Sequence, residues 1–288
     1  MLERHLLRYF LAVIDTGTFS GAAELCRVSQ PTVSSGIARL ESEVGVSLFI
    51  RTSRRVELTA AGARLLPHAR RIESEFVEAQ GAVAEVPPAM HVRLGVASTI
   101  ATPMVEAIVA AAIAPGDLRL EIIERRPGEL AALLDRGRVD LTLGPLGPHS
   151  RQPVTELFGE PYLLAVPVGH PLAAEPMVSC EQLVGETMLV RRHCEVLPMV
   201  SQFFTARGIR PFMAARSFSE ERVRAYVRAG LGVTVMPESL ACEGVTVVPL
   251  AGFDSRRMVG FTLDPASQPR VLRSGLIDQA RAAMDSLS

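Results

Sequence analysis

The pair Pro87-Pro88 separates two stretches of this 288-residue chain with different patterns of apolar residues, ending a helix and opening a second domain. Before the pair, apolar residues recur at steps of three and four, which dictates helices packed on helices. After it, short apolar runs alternate with helical stretches, the pattern of an α/β domain with mostly parallel strands. The length independently suggests about two domains.

Leu6, Leu7, Phe10, Leu11, Val13 and Ile14 mark one face of a first helix, which Thr16-Gly17-Thr18 breaks. Ser20 is the expected cap of a second helix, in which Ala22, Ala23, Leu25 and Cys26 supply small packing residues. A third begins at Ser29, with Pro31 in its first turn and Val33, Ile37 and Leu40 on its inner face. Its outer face shows Gln30, Thr32, Ser34, Ser35 and Arg39. A small-residue helix, a short turn and a helix with one polar face together form the pattern of a helix-turn-helix. The segments Gly45 to Phe49 and Val56 to Leu58, split by Arg51-Thr52-Ser53-Arg54-Arg55, are expected to form a small wing with a basic tip.

Thr59 is placed to cap a long helix running to about Val86. Within it Leu65, Ala69, Ile72, Phe76, Ala79 and Val83 form a seam with heptad spacing, which predicts dimerisation along this helix. Pro67 is expected to disturb its first turns. Beyond Pro88, apolar runs at 92–96, 118–123, 141–143, 162–166, 188–190, 212–215, 233–235 and 258–263 alternate with expected helices at 103–114, 128–136, 196–206, 220–229 and 269–284. The pattern after residue 162 repeats the one before it, so this domain contains two similar halves.

The run Phe19-Ser20-Gly21-Ala22-Ala23, then Val28 to Ser34, Ile37, Leu40-Glu41, Gly45-Val46, Leu48-Phe49, Arg51, Arg54-Arg55-Val56, Leu58-Thr59 and Gly62 strongly resembles the LysR-type transcriptional regulators. Gly137 with Asp140-Leu141, Pro167 with His170-Pro171-Leu172, and Gly230-Leu231-Gly232 with Pro237 extend the resemblance through the second domain. It implies an all-α winged helix-turn-helix domain (1–58), a linker and dimerisation helix (59–87), and an α/β effector-binding domain (88–288). That domain would consist of two Rossmann-like subdomains resembling a periplasmic binding protein, 92–159 with 262–288, and 160–261. A homodimer or homotetramer bound to double-stranded promoter DNA is implied, with a small-molecule co-inducer of unspecified identity and no other cofactor.

A net charge of −1 would argue against DNA were the charge spread evenly, but it is not. Between Arg27 and Arg71 eight arginines stand against three acids; every basic residue in the chain is arginine. Such residues neutralise phosphates, while base edges are read by the helix in the major groove. The candidates for DNA are Gln30, Pro31, Thr32, Ser34, Ser35 and Arg39 on the helix, with Arg51, Arg54 and Arg55 on the wing. Relatives in that family commonly carry arginine or glutamine where this chain has Ser35 and Gly36. Glycine inside a helix costs about 1 kcal/mol relative to alanine, so close approach to DNA, or an unusual operator, is expected there.

For the effector, Ser98 and Thr99 follow a strand and precede a helix whose start suits an anion. In the other half Arg192 and Cys194 also follow a strand and precede a helix, facing Ser98 and Thr99 across a cleft with Gly144, Pro145, Leu146 and Phe218 as candidate walls; by family position this is the effector site. At most one of Arg191 and Arg192 is expected to enter the cleft, because adjacent residues at a strand end point oppositely. Cys194, beside two arginines and His193, is expected to ionise easily, which makes a thiol-based redox response the alternative to effector binding. Its three fellow cysteines, Cys26, Cys180 and Cys242, lie far away in sequence without a CxxC pair, and neither a disulfide framework nor a metal cluster is indicated. An enzyme is not indicated either: no nucleophile elbow or phosphate-cradling loop is present, and the six histidines are scattered. A solute-binding protein of a transporter would require export, whereas Met1 to Phe10 carries charge and histidine in place of an apolar signal core. A cytoplasmic location is expected.

Overall fold

The computed structural model describes residues 2–51, 56–82, 89–147, 150 and 152–287. They form two compact units, Met1–Met90 with Asp135–Arg138, and His91–Leu134 with Val139–Ser288.

The first unit begins with α1 (Arg4–Thr16), α2 (Phe19–Cys26) and α3 (Gln30–Val44), followed by β1 (Phe49–Arg51), β2 (Val56–Leu58) and α4 (Ala60–Ala82). Leu6, Leu7, Phe10, Leu11 and Val13 are buried and give α1 its inner face. Gly17 ends it at φ 72°, donating its N–H to Val13 O at 2.9 Å, a left-handed turn in which a side chain would be strained. The cap of α2 is Thr18 and not Ser20. Thr18 has extended backbone and its Oγ1 accepts from Gly21 N–H at 3.0 Å, whereas Ser20 already lies inside the helix. Cys26 is half-buried at the edge of the core. Strands β1 and β2 pair antiparallel, Phe49 with Leu58 and Arg51 with Val56. The wing tip, with Arg54 and Arg55, lies outside the described residues.

Thr59 caps α4, accepting from Gly62 N–H at 3.0 Å. The helix continues through Pro67. A single proline forfeits one hydrogen bond, and the burial of Leu66 and Ala69 on either side of it holds the two turns in place. The expected seam divides: Ala69 is fully buried and Leu65 and Ile72 half-buried against this unit's own core, while Phe76 and Ala79 are exposed. The first half of the seam therefore serves intramolecular packing. Val83 and the expected end near Val86 lie outside the described residues.

The second unit contains β3 (Met90–Ala97), α5 (Thr102–Ile113), β4 (Leu118–Arg125), α6 (Pro127–Asp135), β5 (Leu141–Pro145), β6 (Val154–Pro167), β7 (Thr187–Arg191), α7 (Leu197–Ala206), β8 (Phe212–Ser217), α8 (Glu220–Arg228), β9 (Thr234–Pro237), β10 (Val245–Val248), β11 (Arg256–Leu263), α9 (Gln268–Arg273) and α10 (Leu276–Asp285). The sheet order is β10-β6-β11-β5-β3-β4, with β9 also on β6, and β7 pairs β8. Pairs β3–β5 and β7–β8 are parallel as expected, but β6 and β11 run antiparallel to every neighbour given a register. The reason is the length of β6: its first half pairs β11, and its second half pairs β9 and β10. Two long antiparallel strands thus join the halves. The last expected helix is broken at Gly275 into α9 and α10, and α10 returns to pack on α5 of the first half. The second half has its own core around Tyr162, Leu164, Val166, Leu183 and Phe204.

Candidate functional site

The first candidate surface is α3. Ser29 caps it, its Oγ accepting from Thr32 N–H at 3.3 Å and sharing a 2.7 Å hydrogen bond with Thr32 Oγ1. Val33, Gly36, Ile37 and Leu40 are buried; Gln30, Pro31, Thr32, Ser35 and Arg39 are exposed, and Ser34 half-buried. Ser35 Oγ donates back to Pro31 O at 2.9 Å. Arg39 pairs with Glu43 at 3.3 Å and with Glu3, so its charge is partly compensated. Glu41 anchors the wing: its Oε1 accepts from Leu48 N–H at 2.7 Å and Phe49 N–H at 3.2 Å.

Gly36 has a different reason from either expected one. It faces inward, and a Cβ there would stand 2.5 Å from Tyr9 Cδ2. Close approach of α1 to α3, not of DNA, requires the glycine. Arg51 lies in β1, its backbone paired with Val56.

The second candidate is a cleft of ≈ 760 Å³ between the halves of the second unit. Ser98 and Phe218 line it, together with Glu124, Glu221, Arg224 and Arg228, which sequence reasoning did not select. Ser98 and Thr99 do not cap α5: the N-cap is Ala101, and the N–H groups of Ser98 and Ile100 are already given to Arg125 O and Ala97 O. Their side chains are notable for another reason. Ser98 Oγ, Thr99 Oγ1 and Arg224 Nε are all buried without a hydrogen-bond partner, a costly arrangement unless something completes it. Gly144, Pro145 and Leu146 do not line this cavity; Gly144 and Pro145 lie in β5, paired with Gly260 and Val259 of β11.

Beside the cleft, buried Arg257 of β11 donates to Glu160 at 2.9 Å, to Glu195 at 2.9 Å and to Thr99 O at 3.1 Å. Burial opposes its charge, but Glu160 and Glu195 prevail and raise its pKa. One guanidinium thus ties the first half, through Thr99, to the second, through Glu195.

Of the adjacent arginines, Arg191 is the buried one and Arg192 is exposed over the Phe218 ring, 5.7 Å from its centroid. Arg191 is held by Glu220 at 2.8 and 2.6 Å, and donates also to Val235 O and, at 3.1 Å, to Cys194 Sγ. His193 Nε2 lies 3.0 Å from Glu220 Oε1. Burial alone would raise the Glu220 carboxyl; Arg191 and His193 overcome it and bring its pKa down to about 2. Cys194 behaves oppositely to expectation. Burial, aided by Glu195 and Glu220, raises its pKa in spite of Arg191, because removing a thiolate from water outweighs one shared guanidinium. Arg192 and Cys194 line a separate cavity of ≈ 380 Å³ and not the cleft.

Neither Arg191 nor Arg224 could have been chosen on sequence alone, since a lone arginine carries no burial signal; Glu220, following the cap Ser219, resembled an ordinary helix-start acid. Among the described residues, no group of His, Cys, Asp and Glu is arranged to hold a metal ion, and no helix is long and apolar enough to cross a membrane.

Two family models match the chain: the bacterial regulatory helix-turn-helix protein of the LysR family over residues 5–63, and the LysR substrate binding domain over residues 86–285. The DNA-binding transcriptional dual regulator OxyR of Escherichia coli K12 is 32% identical over 295 residues, covering 97% of this chain and 95% of that protein. A probable hydrogen peroxide-inducible genes activator of Mycobacterium avium is 34% identical over 289 residues, covering 97% of this chain and 88% of that protein. The fold is shared with a cysteine-to-aspartate variant of full-length OxyR from Pseudomonas aeruginosa, at a TM-score of 0.76 and 24% identity over 98% of this chain and 95% of that one.

Proposed function

The chain belongs to the LysR family of bacterial transcriptional regulators, and from that premise we propose that it reads promoter DNA with α3 and responds to a small anion bound in the cleft. The observation that carries the second part is that Ser98 and Arg224 both line one cavity and hold Oγ and Nε buried without a hydrogen-bond partner, as does Thr99 Oγ1 next in the chain. A carboxylate supplies the acceptors that Ser98 and Arg224 lack.

On the DNA side, Gln30 can bond adenine bidentately, and Pro31 and Thr32 can meet a thymine methyl. Ser34, Ser35 and Arg39 extend the contact to base edges or phosphate, and Arg51, Arg54 and Arg55 hold backbone. The exposed end of the α4 seam, Phe76 and Ala79, continuing to Val83, joins two copies in a homodimer or homotetramer. A ligand that binds one cleft geometry better than another then changes the spacing of the DNA-binding heads. This activity places the protein in the cytoplasm.

Footprinting upstream of a neighbouring, divergently transcribed gene locates the operator, and a thermal-shift screen of small carboxylates identifies the effector. Gln30→Ala is expected to weaken operator binding selectively, whereas Arg54→Ala weakens binding to operator and random duplex alike; equal losses for both variants on both duplexes would overturn the assignment. Ser98→Ala and Arg224→Ala should each remove the thermal shift given by the effector.

Oxidant response through Cys194 is the second reading, supported by the similarity to peroxide-inducible activators and by the Arg191 hydrogen bond to the thiol. The raised pKa opposes it. A Cys194→Ser protein whose oxidant response and DNA binding match the wild type would end that reading.

A further inference from the structure

The ≈ 380 Å³ cavity in the second half shares no lining residue with the cleft. Its walls include Met188, Leu197, Val200, Phe204, Ile209 and Met213. The buried polar side chains on its wall are already satisfied: Thr234 Oγ1 donates to Leu189 O at 2.8 Å, Arg191 is held by Glu220, and Cys194 Sγ accepts from Arg191, while Ser201 and Thr205 are exposed at its edge. The interior therefore offers nothing to a polar guest.

Its rim is different. Arg192, Arg210 and Arg216 all line the cavity and are exposed. Arg210 and Arg216 have no ion pair with any carboxylate among the described residues. An apolar interior of this volume with uncompensated guanidinium groups at its mouth matches a guest that is apolar at one end and anionic at the other.

We propose that this cavity is a second ligand site, for an amphipathic monocarboxylate such as a medium-chain alkyl or aryl-alkyl acid. The tail lies among Leu197, Val200, Phe204 and Met213, and the carboxylate lies between Arg210 and Arg216. The site goes beyond the cleft reading and does not depend on it. It stands one ion pair away from the cleft, because Arg191 lines this cavity and its partner Glu220 lines the other.

The test is titration of the full chain with octanoate and with 4-phenylbutyrate, followed by thermal shift and calorimetry, with octanol and glutarate as comparison ligands. Octanoate or phenylbutyrate should bind and raise the unfolding temperature, octanol should bind more weakly, and glutarate should leave this site empty. Val200→Phe, which fills the cavity, should abolish the binding. Arg210→Ala/Arg216→Ala, on the exposed rim where folding is not at risk, should weaken octanoate by about tenfold while leaving octanol unchanged, the scale of two partly exposed ion pairs. The proposal is overturned if neither acid binds, or if Val200→Phe binds them as the wild type does. It is equally overturned if the rim variant loses nothing. Binding that survives Val200→Phe but disappears in Ser98→Ala or Arg224→Ala would place the acid in the cleft, which refutes this site and supports the other reading.

Discussion

Replacing Glu220 with glutamine leaves a guanidinium buried without its counter-charge. Arg191 is 2% exposed and Glu220 8%, and their two contacts measure 2.8 and 2.6 Å. After the substitution Arg191 retains Val235 O and Cys194 Sγ, neither of which carries a formal charge. Removing one partner of a buried pair costs about 3–5 kcal/mol. The carboxyl itself gives a compatible figure: a pKa moved from 4.5 to about 2 corresponds to roughly 3 kcal/mol of preference for the charged form in the fold. Because the folded pKa is depressed, this contribution is complete above the unfolded value of 4.5 and is lost as pH falls toward 2. Urea denaturation followed by circular dichroism should therefore show Glu220→Gln less stable than the wild type by about 3–5 kcal/mol at pH 7, with the gap narrower by about 1 kcal/mol at pH 3.5. Arg191→Met/Glu220→Leu, which removes both charges, should recover most of the loss. A Glu220→Gln protein within about 1 kcal/mol of the wild type at pH 7, or a double variant no better than the single, would refute the reasoning.

Three further outcomes follow from the geometry. Gly36→Ala should lower the stability of the DNA-binding unit by about 1 kcal/mol, since its methyl meets Tyr9, and Tyr9→Ala should reverse the sign by letting alanine's helix preference act; additive effects in the double-mutant cycle would contradict this. Alkylation of Cys194 by iodoacetamide at pH 8, read by peptide mass spectrometry, should be slower than that of half-buried Cys242, because burial holds the Cys194 thiol protonated; equal rates would refute the raised pKa. Phe76→Asp should weaken self-association by about tenfold or more, measured by sedimentation, and an unchanged association would remove the exposed end of α4 from the interface.

Local chemistry settled most of the first unit and the class of the second. Ser29 caps α3, Pro31 occupies its first turn, and Val33, Ile37 and Leu40 turn inward because these preferences act over a few residues and are independent of distant partners. The alternation of strand and helix periods after Pro88 likewise fixed an α/β domain of two halves. Three-dimensional approach decided the rest. Gly36 is explained by Tyr9, a residue of another helix, and half of the α4 seam by the core it covers. The path of β6 through both halves made its pairings antiparallel. In the cleft, Ser98 was legible from its place after a strand and before a helix and Phe218 from the family resemblance, but Arg224, Arg257 and the Arg191–Glu220 pair were not. An arginine has the same letter whether it is solvated, ion-paired in the interior or left with an unpartnered nitrogen. Burial and the identity of the opposing group distinguish these states, and both arise from residues dozens of positions away that meet only in the folded chain.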